Sequence, residues 1–184
     1  TLYLDPRKTN VSVYSSIASG VNIVTGTNLT SLMKCHKNEI EIKNTINAYI
    51  KDGVALVRFL NWLETGITTG TITEMIASEK LLEFRKQQDL FIEDSFESIS
   101  AYGANASMPH YKPSHENPVK VEPRGLYLID SGGHYLDGTT DITRTIAVGK
   151  LKEEEIYHYT LVLISHINLM EAKFLEGTNG GYLE

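Results

Sequence analysis

The chain of 184 residues lacks several features that define large classes of protein. It has one cysteine, Cys35, which precludes an internal disulfide and fits a reducing, cytoplasmic setting. No apolar run approaches the ~20 residues that a membrane-spanning helix needs. The net charge is −6 and Lys and Arg form no cluster, whereas contacts to phosphate groups need a basic face. The sequence therefore predicts neither a nucleic acid nor a membrane as a partner.

The most informative segment is 126–148, which reads LYLIDSGGHYLDGTTDITRTIAV. Its apolar start predicts a buried strand that ends in Asp130, and its second half alternates β-branched and polar residues after a polar turn. This pattern predicts a β-hairpin. In a hairpin with a two-residue turn, residues an odd number of positions apart project from the same face. Asp141 follows Asp130 by eleven positions, so we expect the two carboxylates on one face.

The position of the turn decides how close these carboxylates lie. A turn at residues 136–137 places Asp141 diagonal to Asp130, with roughly 7–8 Å between their Cα atoms. A turn at residues 137–138, where Asp-Gly is a strong turn signal, keeps the shared face but lengthens the gap. A β-bulge would break the parity and separate the carboxylates.

Two carboxylates on one face repel each other unless a cation lies between them or one is protonated. A pair of divalent ions about 3.5–4 Å apart would satisfy both and activate a shared water. Oxygen ligands suit manganese, magnesium or calcium, with zinc or cobalt if an imidazole joins. The alternative is a pair of surface aspartates. The apolar strand before Asp130 favours the metal, because an unpaired charge at the end of a core strand is costly.

The string IDSGGHYLDGTTDITRT, residues 129–145, resembles the first metal-ligand hairpin of the aminopeptidase P branch of the creatinase-type metallopeptidases. These enzymes have the pita-bread fold, which they share with prolidase and methionine aminopeptidase. The resemblance implies that Asp130 and Asp141 bind a centre of two divalent ions, most often manganese, with cobalt or zinc possible. It implies that Asp141 bridges the ions, and it gives Asp137 no ligand role.

A second segment, SISAYGANASMPHYKP at residues 98–113, resembles the stretch of this family that ends in His-Tyr. The resemblance implies that His110 lies beside the metal centre and contacts the bound peptide, which makes it a catalytic candidate. Without the resemblance, a histidine between Pro109 and Tyr111 reads as a surface loop residue.

The resemblance also implies how the chain is organised. We expect an α+β fold, the first half of a pita-bread fold, preceded by the tail of an α/β domain. Residues 1–36 would be the remnant of that preceding domain, and residues 37–184 the N-terminal part of the metallopeptidase domain. The family's ligand histidine and two glutamates would lie beyond residue 184. The chain would then hold two of five ligands and be inactive alone, and the full-length protein would be a homodimer.

Apolar periodicity predicts three long helices. The first runs from Glu39 with a stripe at Ile42, Ile46, Tyr49, Gly53, Leu56, Leu60 and Leu63. We interpret Gly53 as a site where another backbone comes close. The second opens with Thr71 and Glu74 as a capping box and extends to about Gln87. The third is predicted over Glu153–Phe174, with its acidic start at the positive end of the helix dipole.

The function implied by the resemblance is that of a metal-dependent exopeptidase. It releases the N-terminal residue from peptides with proline in the second position, and the two ions supply the hydroxide that attacks the peptide bond. One alternative is a prolidase, which acts on Xaa-Pro dipeptides with the same metals. Another is a catalytically silent pita-bread module that binds peptides or proteins. Substrate length separates the first two, and the residues beyond the chain separate the enzyme from the binding module.

Overall fold

The computed structural model describes residues 1–183. The chain divides into two compact units, Thr1–Asn44 and Thr45–Glu184. The predicted domain boundary between residues 36 and 37 stays a prediction, because a compact unit and a domain of the expected fold are different divisions of the chain.

The first unit contains a parallel β-α-β element. Its strands and helices are β1 (Leu2–Leu4), α1 (Val11–Ser15), β2 (Ile23–Thr25) and α2 (Leu29–Cys35). Leu2 pairs with Ile23 and Leu4 pairs with Thr25, so β1 and β2 run parallel with α1 between them. A crossover helix between parallel strands is the connection used in α/β folds.

Helix α3 (Glu39–Gly66) has a buried side that differs from the predicted stripe. Its buried residues are Ala48, Asp52, Ala55, Leu56, Phe59 and Leu63. Ile46 and Tyr49, which belong to the predicted stripe, are 56% and 41% exposed. The first half of the predicted stripe was therefore wrong. The interpretation of Gly53 was also wrong, since a Cβ atom built there would meet no heavy atom within 4 Å.

After α3, the second unit contains two further α-helices and two three-stranded sheets. Its further elements are α4 (Glu74–Arg85), β3 (Phe91–Asp94), β4 (Ile99–Tyr102), β5 (Leu126–Ser131), β6 (Gly133–Tyr135), β7 (Gly138–Thr139), β8 (Ile142–Ala147) and α5 (Glu153–Glu171). Short 3-10 helices cover Ile67–Thr69, Gly103–Ser107 and Gly180–Tyr182. One antiparallel sheet has the order β4-β5-β8, and the other has the order β3-β6-β7.

The core of this unit lies between α3, α4 and the inner face of the β4-β5-β8 sheet. Phe59 and Leu63 from α3, Leu81 from α4, and Tyr127 and Ile129 from β5 are all buried in one cluster. Phe59 packs against Tyr127 with ring centroids 6.5 Å apart. Every second residue of β5 therefore faces the core, as expected for a strand with one buried face.

Helix α4 begins two residues later than predicted. Thr73, not Thr71, is the N-cap residue, and its side-chain oxygen accepts a hydrogen bond from the backbone N–H of Ile76 at 3.2 Å. Thr71 instead pairs its hydroxyl with that of Thr69. The expected role of Glu74 as a cap was wrong, because Glu74 is the first residue of the helix and its side chain is buried.

Helix α5 is confirmed, but it ends at Glu171, three residues before the predicted end. It has no buried residue, and Ile156, Tyr159, Leu163 and Ile167 are between 42% and 52% exposed. Its acidic first turn is present at Glu153–Glu155. Among residues 1–183, no helix combines the length and the apolarity that crossing a membrane requires.

Candidate metal centre

The predicted hairpin is confirmed, with its turn at Leu136–Asp137. Tyr135 pairs with Gly138 and His134 with Thr139, so two residues separate the strands. The same register continues from Ser131 opposite Ile142 to Leu126 opposite Ala147. The hairpin thus forms one antiparallel ladder. Its β5–β8 part belongs to the β4-β5-β8 sheet, and its β6–β7 part, next to the turn, belongs to the β3-β6-β7 sheet. No bulge interrupts the β5–β8 or β6–β7 pairing among the described residues.

The hairpin passes from one sheet to the other at Gly132. A Cβ atom at this position would lie 2.0 Å from the backbone oxygen of Thr140 and 2.4 Å from Oγ of Ser95. The Gly132 carbonyl accepts from the Ser95 N–H at 3.0 Å, and Ser95 Oγ donates to the Thr140 carbonyl at 3.0 Å. Glycine is required here because backbone from the other strand occupies the space of a side chain.

Asp130 and Asp141 lie on the same face of this hairpin. Thr143 is opposite Asp130, and Asp141 is two positions before Thr143, so the register places the two aspartates diagonally. At such positions the Cα atoms are about 7–8 Å apart. The Thr143 hydroxyl donates to Asp130 Oδ1 at 2.7 Å. Asp130 is half-buried and Asp141 is exposed, so both carboxylates are accessible to a ligand.

The opposite face of the same hairpin is buried and polar. Ser131 and Thr140, the neighbours of the two aspartates, are completely buried. Beneath them, the guanidinium of Arg85 from α4 meets the carboxylate of Asp52 from α3, with Nε 2.6 Å from Oδ1 and Nη2 3.2 Å from Oδ2. Both side chains have zero exposure. The two faces therefore differ, since one is filled by partners from the protein and the other is open.

Sequence reasoning missed this ion pair, although it had a signal. Asp52 lies four residues after Ala48 and three before Ala55, on the buried side of α3. Arg85 lies four residues after Leu81 on the buried side of α4. A charge among the apolar residues of each buried side, negative on α3 and positive on α4, indicates a buried pair, because neither charge is tolerated alone.

The turn of the hairpin is tied to α3 by a third aspartate. The ammonium of Lys51 lies 2.7 Å from Asp137 Oδ1, and the side-chain amide of Asn47 donates to Oδ2 at 2.8 Å. The hydrogen bond from Lys51 holds the pKa of the Asp137 carboxyl below its usual value. Both oxygens of Asp137 are thus bound by side chains of the protein.

His110 is exposed and lies in a turn outside the hairpin. It follows the 3-10 helix Gly103–Ser107, which leaves β4 at Tyr102. Tyr102 pairs with Tyr127, whereas Asp130 pairs with Ile99 at the other end of β4. Within residues 1–183, no hydrogen bond joins His110 to either aspartate. The strand pairing therefore brings Asp130 and Asp141 together but not His110.

The loop that contains His110 is held by Glu74. Its Oε1 accepts from the backbone N–H of Tyr102 at 2.6 Å and from the side-chain amide of Asn105 at 3.0 Å. Its Oε2 accepts from the Tyr111 hydroxyl at 2.6 Å. Burial, followed by this hydrogen bond to Glu74, raises the pKa of Tyr111 to about 12. Glu74 thus fixes both the start of the 3-10 helix and the residue after His110.

The hairpin fits a divalent cation by the chemistry of its donors. Asp130 and Asp141 are accessible carboxylates on one face, and hard oxygen donors suit manganese, magnesium and calcium. Asp137 is bound by Lys51 and Asn47, so it does not compete. Among residues 1–183, no group of three or more His, Cys, Asp or Glu side chains is arranged to hold a metal ion.

Comparison with known families agrees with this geometry. The model of "Metallopeptidase family M24" matches residues 43–184, which is most of the chain. The chain belongs to this metallopeptidase family.

Curated relatives of this chain include Xaa-Pro aminopeptidases. Xaa-Pro aminopeptidase 1 of Dictyostelium discoideum is 42% identical over 183 residues, covering 97% of this chain and 29% of that protein. Xaa-Pro aminopeptidase app-1 of Caenorhabditis elegans is 41% identical over 185 residues, covering 100% of this chain and 30% of that protein. The chain thus spans about 30% of the length of these relatives.

Solved structures confirm the pita-bread fold of this family. X-prolyl aminopeptidase from Caenorhabditis elegans, described as a cytosolic enzyme with a di-nuclear active site, superposes with a TM-score of 0.89 at 41% identity. The superposition covers 99% of this chain and 30% of the Caenorhabditis elegans chain. Xaa-Pro dipeptidase from Bacillus anthracis superposes with a TM-score of 0.73 at 24% identity over 90% of this chain and 45% of that one, which shows the fold alone.

Proposed function

We propose that the complete protein is a metal-dependent exopeptidase that releases the N-terminal residue from peptides with proline in the second position. The observation that carries this proposal is the pair of accessible carboxylates, Asp130 and Asp141, on one face of a hairpin in a member of metallopeptidase family M24. The Xaa-Pro aminopeptidases at 41% and 42% identity support the choice of substrate.

The substrate chemistry calls for a dedicated site. Proline has no backbone N–H and its ring fixes φ near −65°. A peptidase that recognises an extended backbone through its N–H groups therefore loses a hydrogen bond at an Xaa-Pro bond. A site that holds the free N-terminus and accommodates the proline ring avoids this problem.

In this proposal, the residues that would hold two divalent ions are Asp130 and Asp141. Manganese is the first choice and cobalt or zinc are alternatives. When bound, such an ion pair activates water and polarises the peptide carbonyl. The Thr143 hydroxyl, 2.7 Å from Asp130 Oδ1, restrains that carboxylate through one of its oxygens. The di-nuclear site of the Caenorhabditis elegans enzyme supports the number of ions.

His110 has the role of a hydrogen-bond donor to the peptide. Its imidazole is exposed, so it is able to contact a substrate, while Tyr111 and Asn105 hold the loop against Glu74. A donor directed at the carbonyl oxygen stabilises the negative charge that develops there during hydrolysis. Glu74 does not contact the peptide in this proposal; it positions His110 by holding the loop.

The proposal extends to the parts of the protein beyond this chain. We infer that the other ligands, a histidine and two glutamates, belong to the rest of the metallopeptidase domain, and that residues 1–36 end a preceding domain. We also infer a homodimer in the cytoplasm. The Caenorhabditis elegans structure, described as cytosolic, supports the location.

Prolidase activity is the alternative within the same fold. The dipeptidase from Bacillus anthracis shares the fold at 24% identity, whereas the aminopeptidases are 41% and 42% identical to this chain. The higher identity favours the aminopeptidase. A catalytically silent module is disfavoured, because within residues 1–183 no cationic side chain pairs with Asp130 or Asp141 as Lys51 does with Asp137.

The experiment is a comparison of substrates with the complete, manganese-loaded protein. We expect release of the first residue from an Xaa-Pro-Xaa tripeptide, slow cleavage of the Xaa-Pro dipeptide, and no cleavage of a matched Xaa-Ala-Xaa tripeptide. Faster cleavage of the dipeptide would establish a prolidase, and cleavage of neither proline peptide would contradict the proposal. We expect the 184-residue chain alone to be inactive, because this proposal assigns three of the five ligands to the rest of the domain.

A further inference from the structure

The buried face of the hairpin rests on the ion pair between Asp52 and Arg85. Arg85 and Asp52 have zero exposure, and two nitrogens of the guanidinium contact the two carboxylate oxygens at 2.6 and 3.2 Å. The third nitrogen, Nη1, lies 3.5 Å from Asp94 Oδ1 on β3. Helices α3 and α4 thus present a fixed array of charged hydrogen-bonding groups to the underside of the strands.

Each proposed ligand has a neighbour in the chain that binds this pair. Ser131 follows Asp130, and its hydroxyl accepts from Arg85 Nη2 at 3.0 Å. Thr140 precedes Asp141, and its hydroxyl donates to Asp52 Oδ2 at 2.8 Å. One residue beside each aspartate is therefore fixed to the same pair, one to the cation and the other to the anion.

The Thr140 hydroxyl also joins the two strands. It accepts a hydrogen bond from the backbone N–H of Gly133 at 2.9 Å while it donates to Asp52. The Tyr135 hydroxyl donates to Asp52 Oδ1 at 3.0 Å, so Asp52 has bonds to three side chains. Successive residues of a strand project to opposite faces. Fixing Ser131 and Thr140 on one face thus fixes the backbone that presents Asp130 and Asp141 on the other.

Stability alone does not account for this arrangement. A buried ion pair is weak evidence for stability, because well-packed apolar residues of similar volume are often as stabilising or more so. What the pair adds is direction, since each oxygen and nitrogen specifies where its partner lies. Groups behind metal ligands that orient them typically change metal affinity by about 10–100-fold when they are lost.

We propose that the Asp52–Arg85 pair is a positioning element that sets the separation of Asp130 and Asp141 for the metal centre, acting through the hydroxyls of Ser131 and Thr140. This inference rests on the proposed function, because it requires that the two aspartates bind metal ions. Ser131, Thr140, Asp52 and Arg85 do not touch the ions or the substrate in this arrangement, so they are positioning residues.

The test compares two substitutions of Thr140 in the complete protein. Thr140→Val removes the hydroxyl at nearly constant shape, and Thr140→Ser retains it. Val148→Ala is the control, because Val148 lies beyond the other end of β8 and belongs to the apolar core. For each protein, calorimetry gives the Mn²⁺ dissociation constant, and thermal melting of the metal-free form gives stability. Turnover of an Xaa-Pro tripeptide is measured at saturating Mn²⁺.

We expect Thr140→Val to weaken Mn²⁺ binding by about 10–100-fold, with Thr140→Ser close to the wild type. We expect Val148→Ala to lower the melting temperature while its Mn²⁺ affinity stays within about twofold of the wild type, since additivity holds for distant sites. If Thr140→Val binds Mn²⁺ as tightly as Val148→Ala does, Thr140 has a structural role only and the inference is wrong.

Two further outcomes keep the tests separate. If Thr140→Val does not fold, Ser131→Ala decides, because it removes a single bond to Arg85; unchanged Mn²⁺ affinity in that variant would overturn the inference. If the wild-type protein binds no Mn²⁺, the proposed function fails and the inference fails with it. Wild-type binding and turnover, combined with unaffected variants, would remove the inference and leave the proposed function in place.

Discussion

The two faces of the Asp130–Asp141 hairpin place polar side chains in opposite circumstances. On the inner face, the hydroxyls of Ser131 and Thr140 are buried and bound to the Asp52–Arg85 pair. On the outer face, Asp130 and Asp141 are accessible, and Thr143 is the side chain that binds Asp130. Because successive residues of a strand project to opposite faces, adjacent residues of this hairpin have different surroundings.

This difference separates a structural polar group from a candidate ligand. A buried polar group must find its partners within the protein, because leaving it unpaired costs about 1–3 kcal/mol. An accessible carboxylate is under no such constraint and remains free for an ion. Asp137 shows the intermediate case, since Lys51 and Asn47 bind both of its oxygens at the turn.

The largest expected effect lies on the outer face. Asp141→Asn in the complete protein should lower kcat/KM by on the order of 10³-fold or more, because an amide is a poor ligand between two cations and the lost stabilisation amounts to several kcal/mol. The measurement is turnover of an Xaa-Pro tripeptide together with bound metal by elemental analysis.

Asp137→Asn is the matched control, because it makes the same chemical change in the same hairpin at a carboxylate bound by Lys51. It should keep two metal ions and most of its activity. An active Asp141→Asn enzyme with two bound ions would remove that residue from the metal site.

On the inner face, the expected effect is on stability. Arg85→Met should lower the free energy of unfolding by about 3–5 kcal/mol, since it leaves the carboxylate of Asp52 buried without its cation. Chemical denaturation of the complete protein measures this change. Arg58→Met is the control, because Arg58 is exposed and stacks on Phe84 at 4.7 Å without an ion pair.

A cost below about 1 kcal/mol for Arg85→Met would show that the pair is not essential to the inner face. Adding Asp52→Leu to Arg85→Met sharpens the comparison. Removing both charges should recover part of the loss, because the penalty comes from the unpaired charge more than from the missing bond.

The effect expected for His110→Ala is smaller than that for Asp141→Asn. Bound manganese should be unchanged, and kcat/KM should fall by about 10²–10³-fold, the usual scale for losing one donor to a developing oxyanion. Elemental analysis and turnover are measured on the same preparations. His115→Ala is a suitable control, since His115 is an exposed histidine in the same loop that contacts Glu79 at 2.9 Å.

A loss of less than about threefold, equivalent to ~0.7 kcal/mol, would remove His110 from the site. A loss of metal would make it a ligand. Each result decides whether His110 belongs to the metal site, since the strand pairing alone brings only Asp130 and Asp141 together.

The smallest effect concerns the turn. The hydrogen bond from Lys51 lowers the pKa of Asp137 in the folded protein, so its stabilising contribution is complete above the unfolded value of about 3.9. That contribution is lost as the pH falls through the lowered pKa. Asp137→Asn should therefore destabilise the protein by about 1 kcal/mol at neutral pH, the upper end for an ion pair at the protein surface.

Denaturation curves at several pH values measure this difference, with the exposed Asp89→Asn as control. The gap between wild type and Asp137→Asn should close in acid, once Asp137 is protonated in both the folded and unfolded states. A gap that stays constant down to low pH would show that the Lys51 contact does not depend on the Asp137 charge.

Much of the hairpin was predictable because its determinants are local. Strand alternation and the odd separation of Asp130 from Asp141 are sequence properties, and the shared face followed from them. The local sequence does not distinguish a turn at residues 136–137 from one at residues 137–138. Lys51 and Asn47 bind Asp137 from a helix far away in sequence, a contact that no local pattern contains.

The partners of Asp52 and Glu74 were not predictable for the same reason. Arg85 is on another helix, Tyr102 is the last residue of β4, and Tyr111 lies in the loop after β4. The spacing of Thr71 and Glu74 is that of a capping box, but Thr73 caps the helix. The Glu74 carboxylate instead accepts hydrogen bonds from Tyr102 and Tyr111. Helix patterns also misplaced the start of the buried side of α3, where Ile46 is exposed and Ala48 is buried.

We propose that the outer face of the hairpin binds a pair of metal ions. Crystals of the complete protein grown with manganese, with diffraction data collected on both sides of the manganese absorption edge, test this most directly. We expect two anomalous peaks about 3.5–4 Å apart, with Asp141 contacting both and Asp130 contacting one. A manganese-loaded crystal whose peaks lie away from Asp130 and Asp141, or that has none, would contradict it.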